Sequence, residues 1–129
     1  MNCNEIILRV PGSREYAVVL RTALGGVAIL KDFSIDTLDD LRCAADEACD
    51  CLLNQGPAVR ALEMRVTDCD GGVTVTLAAE YECDCAPDTA LDLDVTRAVL
   101  ETLIPRVSLD STPCGCVSSI GMTLLKTAV

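Results

Sequence analysis

The chain has 129 residues, nine of them cysteine and none histidine or tryptophan, with 10 basic against 20 acidic side chains and a formal charge of -10. Without histidine there is no Ser-His-Asp or Cys-His pair, no HExxH zinc site and no phosphohistidine relay within this chain, and so negative a balance argues against a surface built for nucleic acid or an anionic membrane. The length suits one domain, residues 1–129, that buries about two-thirds of its unfolded surface without crosslinks.

The first segment alternates, with Ile6, Leu8 and Val10 on one face and Glu5, Ile7 and Arg9 on the other, which predicts a strand ended by Pro11 and Gly12. Ser13 stands where it can cap a helix whose stripe is Tyr16, Leu20, Leu24, Val27 and Leu30. Gly25 and Gly26 lie inside that helix and imply close packing or a bend. A second helix is predicted from Asp36, its cap, with Leu38, Leu41, Ala45, Ala48 and Leu52 buried and with Asp40, Ala44, Glu47, Cys51 and Asn54 along a neighbouring flank. Gly56 and Pro57 close it.

Two further alternating runs, Leu62-Met64-Val66 and Val73-Val75-Leu77, flank Asp70-Gly71-Gly72 and read as a hairpin. Periodicity fades between Glu80 and Asp94. A third helix is expected from about Leu91 to Ile104, stopped by Pro105. Residues 106–110 and 117–126 then form a closing hairpin in which Ile120, Met122 and Leu124 share a face. The order β-α-α-β-β-loop-α-β-β contains no internal repeat. It predicts an α/β (α+β) two-layer sandwich, a mixed sheet of about five strands covered on one face by about three helices.

Only Tyr16, Phe33 and Tyr81 are aromatic, so the core must be built from Leu, Val, Ile, Ala and Cys. No apolar run approaches the roughly 18 residues of a membrane span, and Glu5 and Arg9 interrupt the first segment, so a soluble, cytoplasmic protein is expected. The cysteines include three C-x-C pairs, Cys49/Cys51, Cys83/Cys85 and Cys114/Cys116, and no C-x-x-C. Neither a zinc ribbon nor a thioredoxin motif is written here, and the thiols read first as small packing groups. Alternation puts Cys83 and Cys85 on one side of an extended stretch, and Cys114 and Cys116 likewise, whereas Cys49 and Cys51 point about 200° apart on a helix.

The negative charge is local. Six acids and one base lie between Asp36 and Cys51, six acids and no base between Glu80 and Asp94, and no Lys or Arg occurs from Val66 to Thr96. Two solvated surfaces are the simplest account. A docking face for a basic partner is the sharper one, and a divalent-cation site lacks the Asp-x-Asp-x-Asp-Gly spacing that would support it.

The run VPGSREYAVVLRTALGGVA, followed by FSIDTLDDLRCAADEACDCLLNQG, resembles the first half of the bacterial anti-sigma factor serine kinases, small GHKL-type ATPase domains that control stress and sporulation sigma factors. The segment DLDVTRAVLETLIPRVSLDSTPCGCVSSIGMTLLK resembles their last helix and closing hairpin, and the element order matches the histidine-kinase-ATPase-like GHKL fold. The resemblance implies a nucleotide site in which Glu47 matches the catalytic glutamate of the second helix, while Cys51 takes the place of the asparagine that holds Mg²⁺. It puts Asn54 on the same flank and makes Glu82 or Asp84 the replacement for the aspartate that reads adenine. The glycines of the second motif are missing, and Asp92 and Asp94 stand where a Gly-rich lid would bind phosphates.

A thiol is a poor ligand for a hard, oxygen-seeking cation, and two carboxylates about 4 Å from phosphate charge would each meet roughly 4 kcal/mol of repulsion at an effective dielectric of 20. The expectation is therefore a regulatory protein that binds other proteins, with ATP binding weakened or lost and no cofactor or metal. By resemblance its partners are a sigma factor or an anti-anti-sigma-like protein, and it forms homodimers. One alternative is an active Mg-ATP-dependent serine/threonine kinase with Glu47 as base. The other is a cysteine-based metal or redox sensor.

Overall fold

The computed structural model describes residues 4–69, 71–83, 86–87 and 93–125. Its strands are β1 (Glu5–Pro11), β2 (Val59–Cys69), β3 (Gly72–Tyr81), β4 (Arg106–Ser111) and β5 (Val117–Leu125), and its helices are α1 (Arg14–Leu30), α2 (Ile35–Leu53) and α3 (Leu93–Leu103). Leu91, where the third helix was expected to begin, Asp70 of the first hairpin turn and Lys126 at the end of the last strand lie outside the described residues.

The five strands form one sheet in the order β1-β2-β3-β5-β4. All four neighbouring pairs are antiparallel, which corrects the expected mixed sheet. The reason is topological: β3 and β4, joined through α3, run the same way, but β5 inserts between them and pairs with both. Alternation then sets the core. The registers align Leu8, Met64, Leu77, Ile120 and Leu109 in one row across all five strands, and Ile6, Val66, Val75, Met122 and Val107 in the next. Central members are buried, whereas Leu8, Leu109 and Val107 are half-covered at the edges and Ile6 is exposed. Each fully buried side chain of this size contributes about 1.5–3 kcal/mol.

The opposite face of the sheet is polar, as an antiparallel sheet with one solvated side permits. Arg9 pairs with Glu80 and Glu63, Arg60 with Glu80, and Arg65 with Glu5 and Glu63. Gly12 lets the end of β1 meet β2, since a Cβ there would lie 2.2 Å from the Val59 carbonyl oxygen and the Gly12 N–H donates to the Arg60 carbonyl at 3.1 Å.

Helix α1 buries Leu20, Leu24, Gly25, Val27 and Ala28. The two ends of its expected stripe do not hold, because Tyr16 and Leu30 are exposed. A 3.6-residue period drifts away from a straight stripe over four turns, and Gly25 and Ala28 complete the buried face instead. Ser13 occupies the N-cap position of α1 with extended backbone, but its side chain makes no capping hydrogen bond. Helix α2 begins one residue before Asp36. Ser34 is its cap and accepts from the Thr37 N–H at 3.1 Å, leaving Asp36 in the first turn near the positive end of the dipole. Leu41, Ala45, Ala48 and Leu52 are buried as expected, with Leu38 half-covered. No helix among the described residues is long and apolar enough to cross a membrane.

Candidate functional site

The flank of α2 that the sequence singled out does not stay together. Ala44 and Cys51 are buried, Glu47 is half-buried, and Asp40 and Asn54 are exposed. Asn54 is the C-cap of α2, outside the helical path, with its side-chain Nδ2–H donating to the Asp50 carbonyl at 2.8 Å. It lines a hollow of about 200 Å³ with Gly12, Ser13, Arg14, Asp50 and Leu53, away from the side of α2 that carries Cys51. Helical spacing failed here because the last turn ends before the periodicity reaches Asn54.

Cys51 is 4% exposed and lies near Thr96 of α3, which is also buried. Burial pushes the Cys51 thiol above its ordinary range, the Glu47 charge adds to the shift, and only the Thr96 hydroxyl opposes it. Burial therefore disfavours the thiolate, the form in which a cysteine binds metals or attacks as a nucleophile. Cys49 on the other side of α2 is raised to about 12, first by burial and then by Asp46 and Asp50.

Beside Cys51 lies a polar knot that sequence reasoning missed. Gln55, 1% exposed, donates from Nε2 to the Val117 carbonyl at 3.0 Å and accepts at Oε1 from the Val117 N–H at 2.6 Å. Its Nε2 also donates to the Tyr81 hydroxyl, which in turn donates to the Val117 carbonyl at 2.6 Å. The Tyr81 pKa is raised by burial first, then by Cys116 and Cys51 nearby. The alternation Val73-Val75-Leu77-Ala79-Tyr81 was a usable signal: it puts Tyr81 on the inner face, and a buried phenol needs a polar partner.

Glu82 is exposed just after β3, held by its N–H donating to the Ala58 carbonyl at 2.9 Å. Asp84 and Asp92 lie outside the described residues, as does Cys85. The C-x-C pair at the last turn does not share a side, because Gly115, at φ 102, reverses the chain and leaves Cys114 exposed and Cys116 buried. Among the described residues no group of three or more Cys, Asp or Glu side chains is gathered for a metal.

The acidic segments are partly neutralised. Asp46 accepts two hydrogen bonds from Arg21, at 3.1 and 3.0 Å, and Asp50 pairs with Arg14 at 2.9 Å, so both carboxylates tie α2 to α1. Glu80 is held below the usual carboxylate range, chiefly by the Arg9 hydrogen bond. What remains at the surface of α2 is its amino-terminal end, with Asp36, Asp39 and Asp40 exposed.

Where the resemblance puts a metal-binding asparagine stands the buried thiol of Cys51, and the sequence has no Lys or Arg between Val66 and Thr96.

No protein-family model matches the chain. A 48-residue stretch is 38% identical to the serine-protein kinase RsbW of Bacillus subtilis (strain 168), covering 37% of this chain and 30% of that protein. The fold is similar to that in the crystal structure of the RsbU and RsbW domains of Rv1364c from Mycobacterium tuberculosis, with a TM-score of 0.70 and 12% identity over 98% of this chain and 35% of that one. The chain thus spans about a third of the length of each. With its five-stranded sheet and three helices in this order, it has the GHKL-type, anti-sigma-factor-kinase-like fold.

Proposed function

We propose that the protein is a regulator of the anti-sigma-factor type that works by binding other proteins, with the equivalent of the nucleotide site no longer serving Mg-ATP. The observation that carries this reading is Cys51, a buried thiol at the position where the resemblance calls for a metal-binding asparagine. A sigma-factor segment or an anti-anti-sigma-like protein is the partner that the likeness to RsbW suggests. Titration with Mg-ATP tests the reading. No heat and no change in melting temperature are expected at millimolar nucleotide, whereas a site filled to 100 times its dissociation constant would add about 2.7 kcal/mol.

The kinase reading keeps one point in its favour, a half-buried Glu47 that makes no ion pair among the described residues. It requires a saturable signal in the same titration. The sensor reading finds less support, since Cys49 and Cys51 are both held protonated by burial. Stoichiometric zinc or copper in protein purified under reducing conditions would revive it.

A further inference from the structure

The α1–α2 hairpin ends in an apolar tip. Ile29 and Leu30 close α1 and Ile35 opens α2, and they are 75%, 72% and 77% exposed, the most exposed large hydrophobic side chains among the described residues. The turn that carries them is ordered by its own hydrogen bonds. The Lys31 N–H donates to the Val27 carbonyl at 2.9 Å and the Phe33 N–H to the Ala28 carbonyl at 3.0 Å, while Phe33 packs against the core. Asp32 takes a left-handed conformation, φ 57, that reverses the chain between the helices. The only cation of the turn, Lys31, is drawn to Asp68 on β2.

The chain around the three apolar side chains is mainly acidic, with Asp32 in the turn and Asp36, Asp39 and Asp40 in the first two turns of α2, all exposed; the next cation along α2, Arg42, lines a hollow with Asp39. Scattered exposed hydrophobic residues need no explanation, but three at the two helix ends of one hydrogen-bonded turn, flanked by acids, are suited to form an interface centre. Pre-organisation lowers the ordering cost of docking there.

We infer that this tip docks into an apolar groove bordered by lysine or arginine on a protein partner. Charge selects that occupant. In an isologous contact a second copy of the chain would bring the same aspartates face to face, and an anionic bilayer would meet the same repulsion. A basic rim neutralises the acids that Lys31 leaves unanswered, and speeds encounter as well. The inference rests on the binding-protein reading above and adds the surface through which it acts.

The test uses the full chain and, as probes, the purified sigma factors of the organism that encodes it. Affinity is measured for the wild type, for the triple variant Ile29→Ser, Leu30→Ser, Ile35→Ser and for the double variant Asp36→Asn, Asp39→Asn, with thermal melts confirming that each is folded. At least a tenfold loss is expected for the triple variant, since well-packed apolar anchors dominate binding, and a smaller loss for the double variant that vanishes at high salt. A probe that binds the wild type and the triple variant equally overturns the tip and leaves the binding function standing. Failure of every probe to bind overturns both. Sedimentation that finds self-association abolished by the triple variant, or tip-dependent binding to vesicles of anionic phospholipid, assigns the surface to another occupant and also overturns the inference.

Discussion

Gln55 completes both backbone hydrogen bonds of Val117, accepting from its N–H at 2.6 Å and donating to its carbonyl at 3.0 Å, as a neighbouring strand would. The side chain thus ties the end of α2 to the first residue of β5. The carbonyl also accepts from Tyr81, whereas Gln55 Oε1 is the side-chain acceptor that the Val117 N–H reaches. Gln55→Leu should therefore leave one buried donor unsatisfied and lower stability by about 2–4 kcal/mol, given a penalty of roughly 1–3 kcal/mol for that group plus the lost amide bonds. Urea unfolding at unchanged m-value checks it. A loss under half a kcal/mol would show that water replaces the amide.

Cys51→Asn puts the family's metal-ligand side chain back. It should not restore nucleotide binding, because the phosphates would still meet no cation between Val66 and Thr96. An amide has up to four hydrogen-bonding capacities to satisfy, and Cys51 sits in a buried niche with Thr96 nearby. We expect a loss of about 1–3 kcal/mol in stability, and a calorimetric titration with Mg-ATP as silent as that of the wild type. Saturable binding by this variant would mean that the asparagine alone was the missing part.

How much of this could be read beforehand differs by level. The buried rows of the sheet follow directly from alternation, and Met64, Leu77 and Ile120 align as the pattern required. Position on α2 was also predictable for Cys51, since two turns of helix fix its direction relative to Leu52 and Ala48. Asn54 was not, because a C-cap abandons helical spacing and nothing in Asn54-Gln55-Gly56 says which residue is the last. Pairings such as Arg21 with Asp46 depend on how α1 and α2 cross, a relation that local periodicity does not contain. Consequently the net charge of α2 overstated the acidity of its surface.

The Arg21–Asp46 contact is doubly hydrogen-bonded, yet its side chains are 38% and 47% exposed. Solvent screening should hold its coupling to about 0.5–1 kcal/mol. A double-mutant cycle with Arg21→Ala and Asp46→Ala measures this, and the value should shrink as salt is added. A coupling well above 2 kcal/mol would instead assign the α1–α2 ion pairs a main part in holding the helices together.

Alkaline pH should unfold the protein through its buried thiols. Cys49 binds its proton more tightly when folded, with a pKa of about 12 against an ordinary 9.0, and Cys51 and Tyr81 shift the same way. A group raised on folding contributes stability that is intact below its unfolded pKa and lost as pH climbs toward the folded one. For Cys49 the window is pH 9 to 12, and the loss is at most roughly 4 kcal/mol. Cys49→Ala should flatten that part of the stability–pH curve. An unchanged slope would show that this thiol does not titrate with unfolding.

Gly25 and Gly26 separate cleanly on α1. A Cβ at Gly25 would stand 3.0 Å from the Arg42 guanidinium, so this glycine lets α2's arginine lie against α1. A Cβ at Gly26 would meet nothing within 4 Å, and the residue is exposed in an unbroken helix. Close packing thus explains the first glycine, and nothing in the structure explains the second. Gly26→Ala removes the backbone entropy that glycine loses in a helix and should raise stability by about 0.5–1 kcal/mol. Gly25→Ala should gain less, because part of the same benefit is spent moving Arg42. Thermal melts of the two variants side by side decide the matter: equal gains would mean that Arg42 yields without cost, and a loss at Gly26 would point to a partner or a second chain approaching α1 at that position.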